Sequence, residues 1–167
     1  MKAVFYVVTN EIGQPGYLTW DNLFDMERCG MEIGSHTANH LPLTTLSPEQ
    51  QRDEIRLSKL MLEWKGMKTI YSFSYPNGAY DDGVVAMLRE EEYLTAVTGE
   101  AGLNTLDMNP YLLHRVNIAP PHLGLTEFRL RLMKADIAAR LDVRIAQLPD
   151  GVRESIEEMR ALLRNHL

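Results

Sequence analysis

The sequence contains a single cysteine, Cys29, so no internal disulfide braces it; the residue reads as an exposed thiol or a small buried hydrophobe, and the buried reading is the expectation. Basic residues are the minority: 17 Lys and Arg stand against 23 Asp and Glu, for a formal charge of −6 at pH 7. That balance argues against nucleic acid or an anionic membrane as the principal partner, because phosphate surfaces are bound by clustered Lys and Arg. No apolar run approaches the roughly 20 residues needed to span a bilayer. The first residues also lack a basic stretch followed by a hydrophobic segment and a small-residue cleavage site, so neither a span nor an export signal is predicted in this chain, and its location stays open. Extended disorder and fibrous repeats are excluded by a composition of 45% hydrophobic and 24% charged residues, close to globular averages. A length of 167 residues is enough for a domain with a sizeable core.

What is present alternates. "KAVFYVV" (2–8) is continuously apolar and rich in β-branched and aromatic residues, which predicts a strand covered on both faces. "LTWDNLFDMERCG" (18–30) predicts a short helix with Thr19 as N-cap, Trp20, Leu23 and Phe24 on one face and Gly30 as its stop. "MEIGSH" (31–36) predicts a second strand. The strongest helix signal is "SPEQQRDEIRLSKLMLEWKG" (47–66), with Ser47 as N-cap, Pro48 at the first helical position, Gln50 placed for a capping box and Gly66 beyond the end. Leu57, Leu60, Met61 and Trp64 recur at i, i+3, i+4 and i+7, which predicts that this face is buried. "TIYSFSYP" (69–76) predicts a third strand stopped by Pro76, followed by a turn at Asn77-Gly78. Asp81 or Asp82 is placed to cap a helix that buries Val84, Met87 and Leu88, and further strands are predicted at "YLTAVTG" (93–99) and "HRVNIAPP" (114–121). Strands and helices alternating at these spacings predict βαβ units and a parallel sheet or barrel.

After Pro121 the sequence turns helical and charged, with a break at "LPDG" (148–151). "DIAARLDV" (136–143) is similar to the start of a helix-turn-helix, but the acidic "RESIEEM" that follows argues against a DNA reader. A helical pair packing on the domain or on a second subunit is the expectation.

One stretch points to chemistry. "GSHTANH" (34–40) sets His36 and His40 four positions apart, close enough in a helix or tight turn to share a divalent ion. The spacing by itself leaves a chance pair open. Thr37 follows His36 where the zinc-protease H-E-x-x-H pattern requires glutamate, which argues against peptide hydrolysis by that route. Both histidines stand just past the carboxyl end of a predicted parallel strand, and "SYPNGAYD" follows the next strand at its own carboxyl end, the side on which α/β folds place their sites.

"MEIGSHTANH", then "LSPEQQRDEIRLSK" and "SFSYPNGAYDD", together resemble the metal-dependent polysaccharide deacetylases of carbohydrate esterase family four, in the branch with a Tyr-Pro-x-Gly loop. The resemblance runs from about Lys2 to Ile118. It implies an α/β fold, an incomplete (β/α) barrel lacking its first strand, with a deacetylase-like domain at 1–122 and a helical C-terminal extension at 123–167. It further implies that His36 and His40 are ligands of Zn²⁺ or another divalent metal, that Thr37 steadies their loop, that Tyr75 and Pro76 wall the substrate groove, and that the backbone N–H of Asn77 helps bind the oxyanion. The implied reaction is hydrolysis of N-acetyl groups on a polysaccharide.

Departures from the family pattern define a second reading. The strand that ends in the family's two aspartates, one a catalytic base and one the third metal ligand, has no counterpart here, since Met1 aligns with an interior residue of the family. The resemblance therefore implies weak metal binding and impaired catalysis, loss of a general base alone costing about 10²–10⁴ in rate. It also implies an open strand edge beside Ala3 to Val8 through which the chain pairs with another copy. The alternative is a non-catalytic remnant that binds glycan or assembles through that edge or its C-terminal helices; a third reading is a metal-dependent hydrolase of a small amide or ester. Ser74 stands where many relatives carry arginine. His114 and His122 read as solvent or turn histidines and His166 as a tail residue. Asp81 and Asp82 read as helix caps, Glu32 as preceding a strand, and Asp107 as a loop residue that nothing in the sequence places near the histidines.

Overall fold

A computed structural model describes residues 3–116 and 124–164. They fall into two compact units, one of Met1–Glu100 with Asn104–Arg115 and the other of Ala101–Leu103 with Val116–Leu167. The first unit is built on five strands, β1 (Val4–Val7), β2 (Glu32–Ser35), β3 (Ser72–Ser74), β4 (Thr95–Ala101) and β5 (Leu113–Arg115). Their order in the sheet is their order in the chain. β1–β2, β2–β3 and β3–β4 are parallel, with Val7 opposite Ser35, Ser35 opposite Phe73 and Phe73 opposite Ala96. The crossovers carry α1 (Trp20–Arg28), α2 (Pro48–Trp64) and α3 (Asp82–Glu90). A doubly wound sheet reverses strand order partway across; strict succession is the winding of a β/α barrel, and this unit is part of one.

Local chemistry sets the helix ends. Thr19 and Ser47 each close a capping box, with Asn22 and Gln50 respectively, and the Asp81 carboxylate accepts the Val84 N–H at 2.8 Å. Gly30 and Gly66, both at positive φ, follow α1 and α2. The core joins Ile33, Phe73 and Ala96 of the strands to Leu23 of α1, Ile55 and Leu62 of α2, and Val84, Val85 and Leu88 of α3.

Three expectations fail here. β1 is not covered on both faces: it ends the sheet order, and Val4 and Phe5 are each 40% exposed. Among the described residues its apolar run is the first strand of the sheet order. Cys29 is exposed, because it is the C-cap residue of α1, where the chain turns away from the core. On α2, Leu57, Leu60, Met61 and Trp64 face solvent, and the buried residues are Gln51, Glu54, Ile55, Ser58, Lys59 and Leu62. The polar members of that face are tolerated because each finds a partner; the Gln51 amide, for example, donates to the Leu43 carbonyl at 3.0 Å.

The second unit contains α4 (Leu125–Ala146) and α5 (Asp150–Arg164), separated at the predicted break. α4 runs unbroken through 136–143, so that segment contains no turn of a helix-turn-helix. Ion pairs four residues apart, Arg131–Glu127 and Arg140–Asp136, both 2.9 Å, decorate it. No helix among the described residues is long and apolar enough to cross a membrane. The predicted strand at 114–121 is present only as its first residues within β5; residues 117–121, like His122 and His166, lie outside the described residues.

Candidate functional site

Two loops leave the carboxyl ends of neighbouring strands and meet. His36 is the residue after β2, and its N–H donates to the Val7 carbonyl at 2.9 Å, which fixes its backbone to β1. Its ring Nδ1 lies 2.6 Å from the carbonyl oxygen of Ser74, the last residue of β3. A carbonyl only accepts, so Nδ1 carries the proton and a neutral ring presents the Nε2 lone pair. Burial pushes the His36 pKa below its ordinary value, and the charges of His40 and Arg115 push the same way against the Ser74 bond. Burial and the two neighbouring charges favour the neutral form of histidine that ligates metal, and the Ser74 bond opposes them.

His40 is brought back beside His36 by backbone geometry. Thr37 (φ 67°) and His40 (φ 59°) both occupy the left-handed region, unusual for non-glycine residues and most of all for a β-branched one. Strain of this kind costs on the order of 1–3 kcal/mol per residue and persists where surrounding contacts impose it. Thr37 is fully buried, and its hydroxyl oxygen accepts the His40 N–H at 3.0 Å. The two imidazoles meet edge to face, with centroids 4.7 Å apart and planes at 74°. The short turn Thr9–Glu11 after β1 completes the frame, with the N–H groups of Thr9 and Asn10 donating to the Thr37 and Ala38 carbonyls at 3.2 and 3.1 Å.

The second loop is a tight turn over Pro76–Gly78. Gly78 is required there: a Cβ would sit 2.8 Å from the Gly99 nitrogen, and its φ is +71°. Asn77 is also left-handed (φ 55°, ψ 14°). The N–H groups of Gly78 and Ala79 are taken by the Tyr75 and Pro76 carbonyls at 3.0 Å each, and the Asn77 N–H takes part in neither bond. Tyr75 and Pro76 are buried, whereas Asn77 is exposed. The Tyr75 hydroxyl donates to the Tyr111 carbonyl at 2.9 Å, and burial holds its phenol far above the ordinary pKa, so it braces the loop as a neutral group.

Other residues weighed from the sequence lie apart. Asp81 caps α3, Glu32 opens β2 and accepts the Ser72 hydroxyl at 2.9 Å, and Asp107 stands in an exposed turn. His114 is neither a turn nor a free surface residue: it lies inside β5 with Nε2 3.4 Å from a Glu100 carboxylate oxygen. Among the described residues no group of three or more His, Cys, Asp and Glu converges as a metal site. His36 and His40 are thus a pair of nitrogen donors, the chemical type that divalent ions take, without a third such side chain beside them among the described residues. Two contributors escaped sequence reasoning: the Ser74 carbonyl, a backbone group with no residue signature, and Glu54, whose carboxylate binds Asn39 inside the histidine loop.

Comparison with known proteins gives the same frame. The family model for polysaccharide deacetylases matches residues 1–96. YxkH of Bacillus subtilis, named as a candidate polysaccharide deacetylase, is 33% identical over 120 residues, which are 72% of this chain and 43% of that protein. The structure of the Streptococcus pyogenes deacetylase PplD in complex with acetate is similar at a TM-score of 0.72 and 26% identity, covering 80% of this chain and 58% of that one. The Bacillus cereus polysaccharide deacetylase BC0361, at 24% identity and a TM-score of 0.71, shares the fold over 78% of this chain and 42% of its own. The chain therefore spans between two-fifths and three-fifths of the length of these relatives. Its parallel sheet, its in-order winding and the match over 1–96 together show that this chain belongs to the polysaccharide deacetylase family.

Proposed function

We propose that the chain serves metal-dependent removal of N-acetyl groups from a polysaccharide, with His36 and His40 as two protein ligands of Zn²⁺ or a similar divalent ion. The observation that carries this reading is the bond from His36 Nδ1 to the Ser74 carbonyl at 2.6 Å, which orients one imidazole and joins its loop to the Tyr75–Gly78 turn. A divalent ion bound there supplies polarisation of the acetyl carbonyl and a water of lowered pKa. The protein's own contributions are positional. Thr37 holds His40 through its hydroxyl; Tyr75 and Pro76, expected to wall the substrate groove, are buried, so they line it through the turn they brace rather than through exposed side chains. The exposed Asn77 offers its N–H to the oxyanion that develops as water adds to the acetamide carbon. Residues 1–122 carry this deacetylase-like part and 123–167 the helical extension.

Zinc titration of the purified chain beside a His36→Ala/His40→Ala variant tests the proposal. Stoichiometric binding lost in the variant is expected; absence of binding by the unaltered chain overturns the metal reading. Release of acetate from an N-acetylated glycan then tests the reaction. A second reading, assembly with another copy, is favoured by one observation, the exposure of Val4 and Phe5 on β1. Metal-independent association that rises with concentration, seen by sedimentation, is its signature.

A further inference from the structure

We propose that Glu54, on the inner face of α2, is a positioning residue for the His36–His40 pair, a role that rests on reading that pair as metal ligands. Its carboxylate grips one residue of the loop with both oxygens. Oε2 accepts the Asn39 backbone N–H at 2.8 Å and Oε1 accepts the Asn39 side-chain amide at 2.5 Å. The grip continues outward, since Asn39 Oδ1 accepts the Asn10 amide at 2.7 Å, and inward, since the Glu54 carbonyl accepts the Ala38 N–H at 3.2 Å. Glu54 is buried, 6% exposed, and a carboxylate so placed is retained when hydrogen bonds satisfy it.

The location gives the grip its consequence. Asn39 lies between the two left-handed residues, Thr37 and His40, and is adjacent to His40 itself. A loop with two such residues relaxes toward ordinary backbone angles unless something outside it holds the shape. On one side that hold is the Thr9–Glu11 turn; on the other it is α2, through Glu54 and through Ser58, whose hydroxyl lies 2.6 Å from that of Ser35. Of the two α2 side chains, Glu54 binds nearest to His40, on the residue before it. Groups one bond removed from metal ligands set ligand orientation, and their loss typically weakens metal binding about 10–100-fold.

A partner exchange separates this role from general support of the fold. Glu54→Gln puts an amide against the Asn39 amide. Glu54→Gln/Asn39→Asp restores a donor–acceptor pair and keeps the net charge. Two readouts are followed in the full chain: Co²⁺ affinity from its visible absorption, and hydrogen exchange at the amides of residues 38–40 without metal. Expected for Glu54→Gln are Co²⁺ binding about 10–100-fold weaker and exchange at 38–40 about tenfold faster, with Phe73 and Ala96 in the sheet unchanged. The exchanged pair should return both readouts close to those of the unaltered chain. Unchanged exchange at 38–40 in Glu54→Gln, or no recovery in the double variant, overturns the proposal. If Glu54→Gln does not fold, Asn39→Ala at the exposed end of the grip is measured instead, with the same expectation and the same overturning result. An unaltered chain that binds no Co²⁺ overturns the metal reading of the histidines, and the exchange data still decide whether Glu54 holds their loop.

Discussion

The two faces of α2 carry opposite chemistry to their surroundings. Toward the sheet it presents Gln51, Glu54, Ser58 and Lys59 among Ile55 and Leu62, all buried. Away from the sheet Leu57, Leu60, Met61 and Trp64 are exposed, Trp64 by 82%, and with Leu41 and Leu46 they line a groove of ≈ 500 Å³. The polar inner face is stable because every member has work to do in hydrogen bonding. Gln51 donates to Leu43, Glu54 holds Asn39, Ser58 meets Ser35, and Lys59 Nζ donates to the Glu91 and Glu92 carbonyls at 2.7 and 3.2 Å, at the end of α3. Burial follows where the crossover places the helix. Hydrophobicity decides the cost of that placement, and partners reduce it.

The largest effect belongs to Ile55, wholly buried on the inner face: Ile55→Ala should cost about 2–5 kcal/mol in urea unfolding. Next comes a pH effect on a residue packed against the same face. Tyr93 is 1% exposed, its hydroxyl donates to the Ile55 carbonyl at 3.2 Å, and burial raises its pKa to about 12. The unfolded phenol releases its proton near pH 10 and the folded one does not, so this contribution is complete below pH 10 and is lost as pH rises towards 12. On the order of 2–3 kcal/mol should disappear across that interval, and Tyr93→Phe should flatten the alkaline limb of the stability curve.

Lys59→Met keeps the aliphatic stem but leaves the carbonyls at the end of α3 without their donor. It should cost about 1–3 kcal/mol, with faster amide exchange at the end of α3 as a local signature. Smallest is the outer face. Leu57→Ser and Leu60→Ser, at half-exposed positions, should each stay within about 0.5 kcal/mol of the unaltered chain. A loss at Leu60 as large as that at Ile55 would show that the outer face is covered in solution and would end the contrast.

Much of the site's outline was legible. His36, Thr37 and His40 stand out as a spaced motif, Tyr75, Pro76 and Asn77 as a turn after a strand, and alternating elements put both at one end of a parallel sheet. Caps were legible for the same reason, since Thr19, Ser47 and Asp81 act on amides three residues away. The failures share a different cause. The periodic Leu57–Trp64 stripe is as good a helix face as the one that packs, and no local feature says which side meets the sheet. Glu54 reads in sequence as one more acid on a charged helix. Its role depends on Asn39, fifteen residues earlier and in another element.

By itself, then, the sequence determined element types, their ends, the parallel order and the two chemical motifs, because propensity, capping and periodicity act over a few residues. Tertiary packing alone decided that the Ser74 carbonyl orients His36 and that Glu54 rather than the apolar stripe turns inward. Those outcomes depend on distances between segments far apart in the chain, and such distances arise when the crossovers pack and each buried polar group finds its partner.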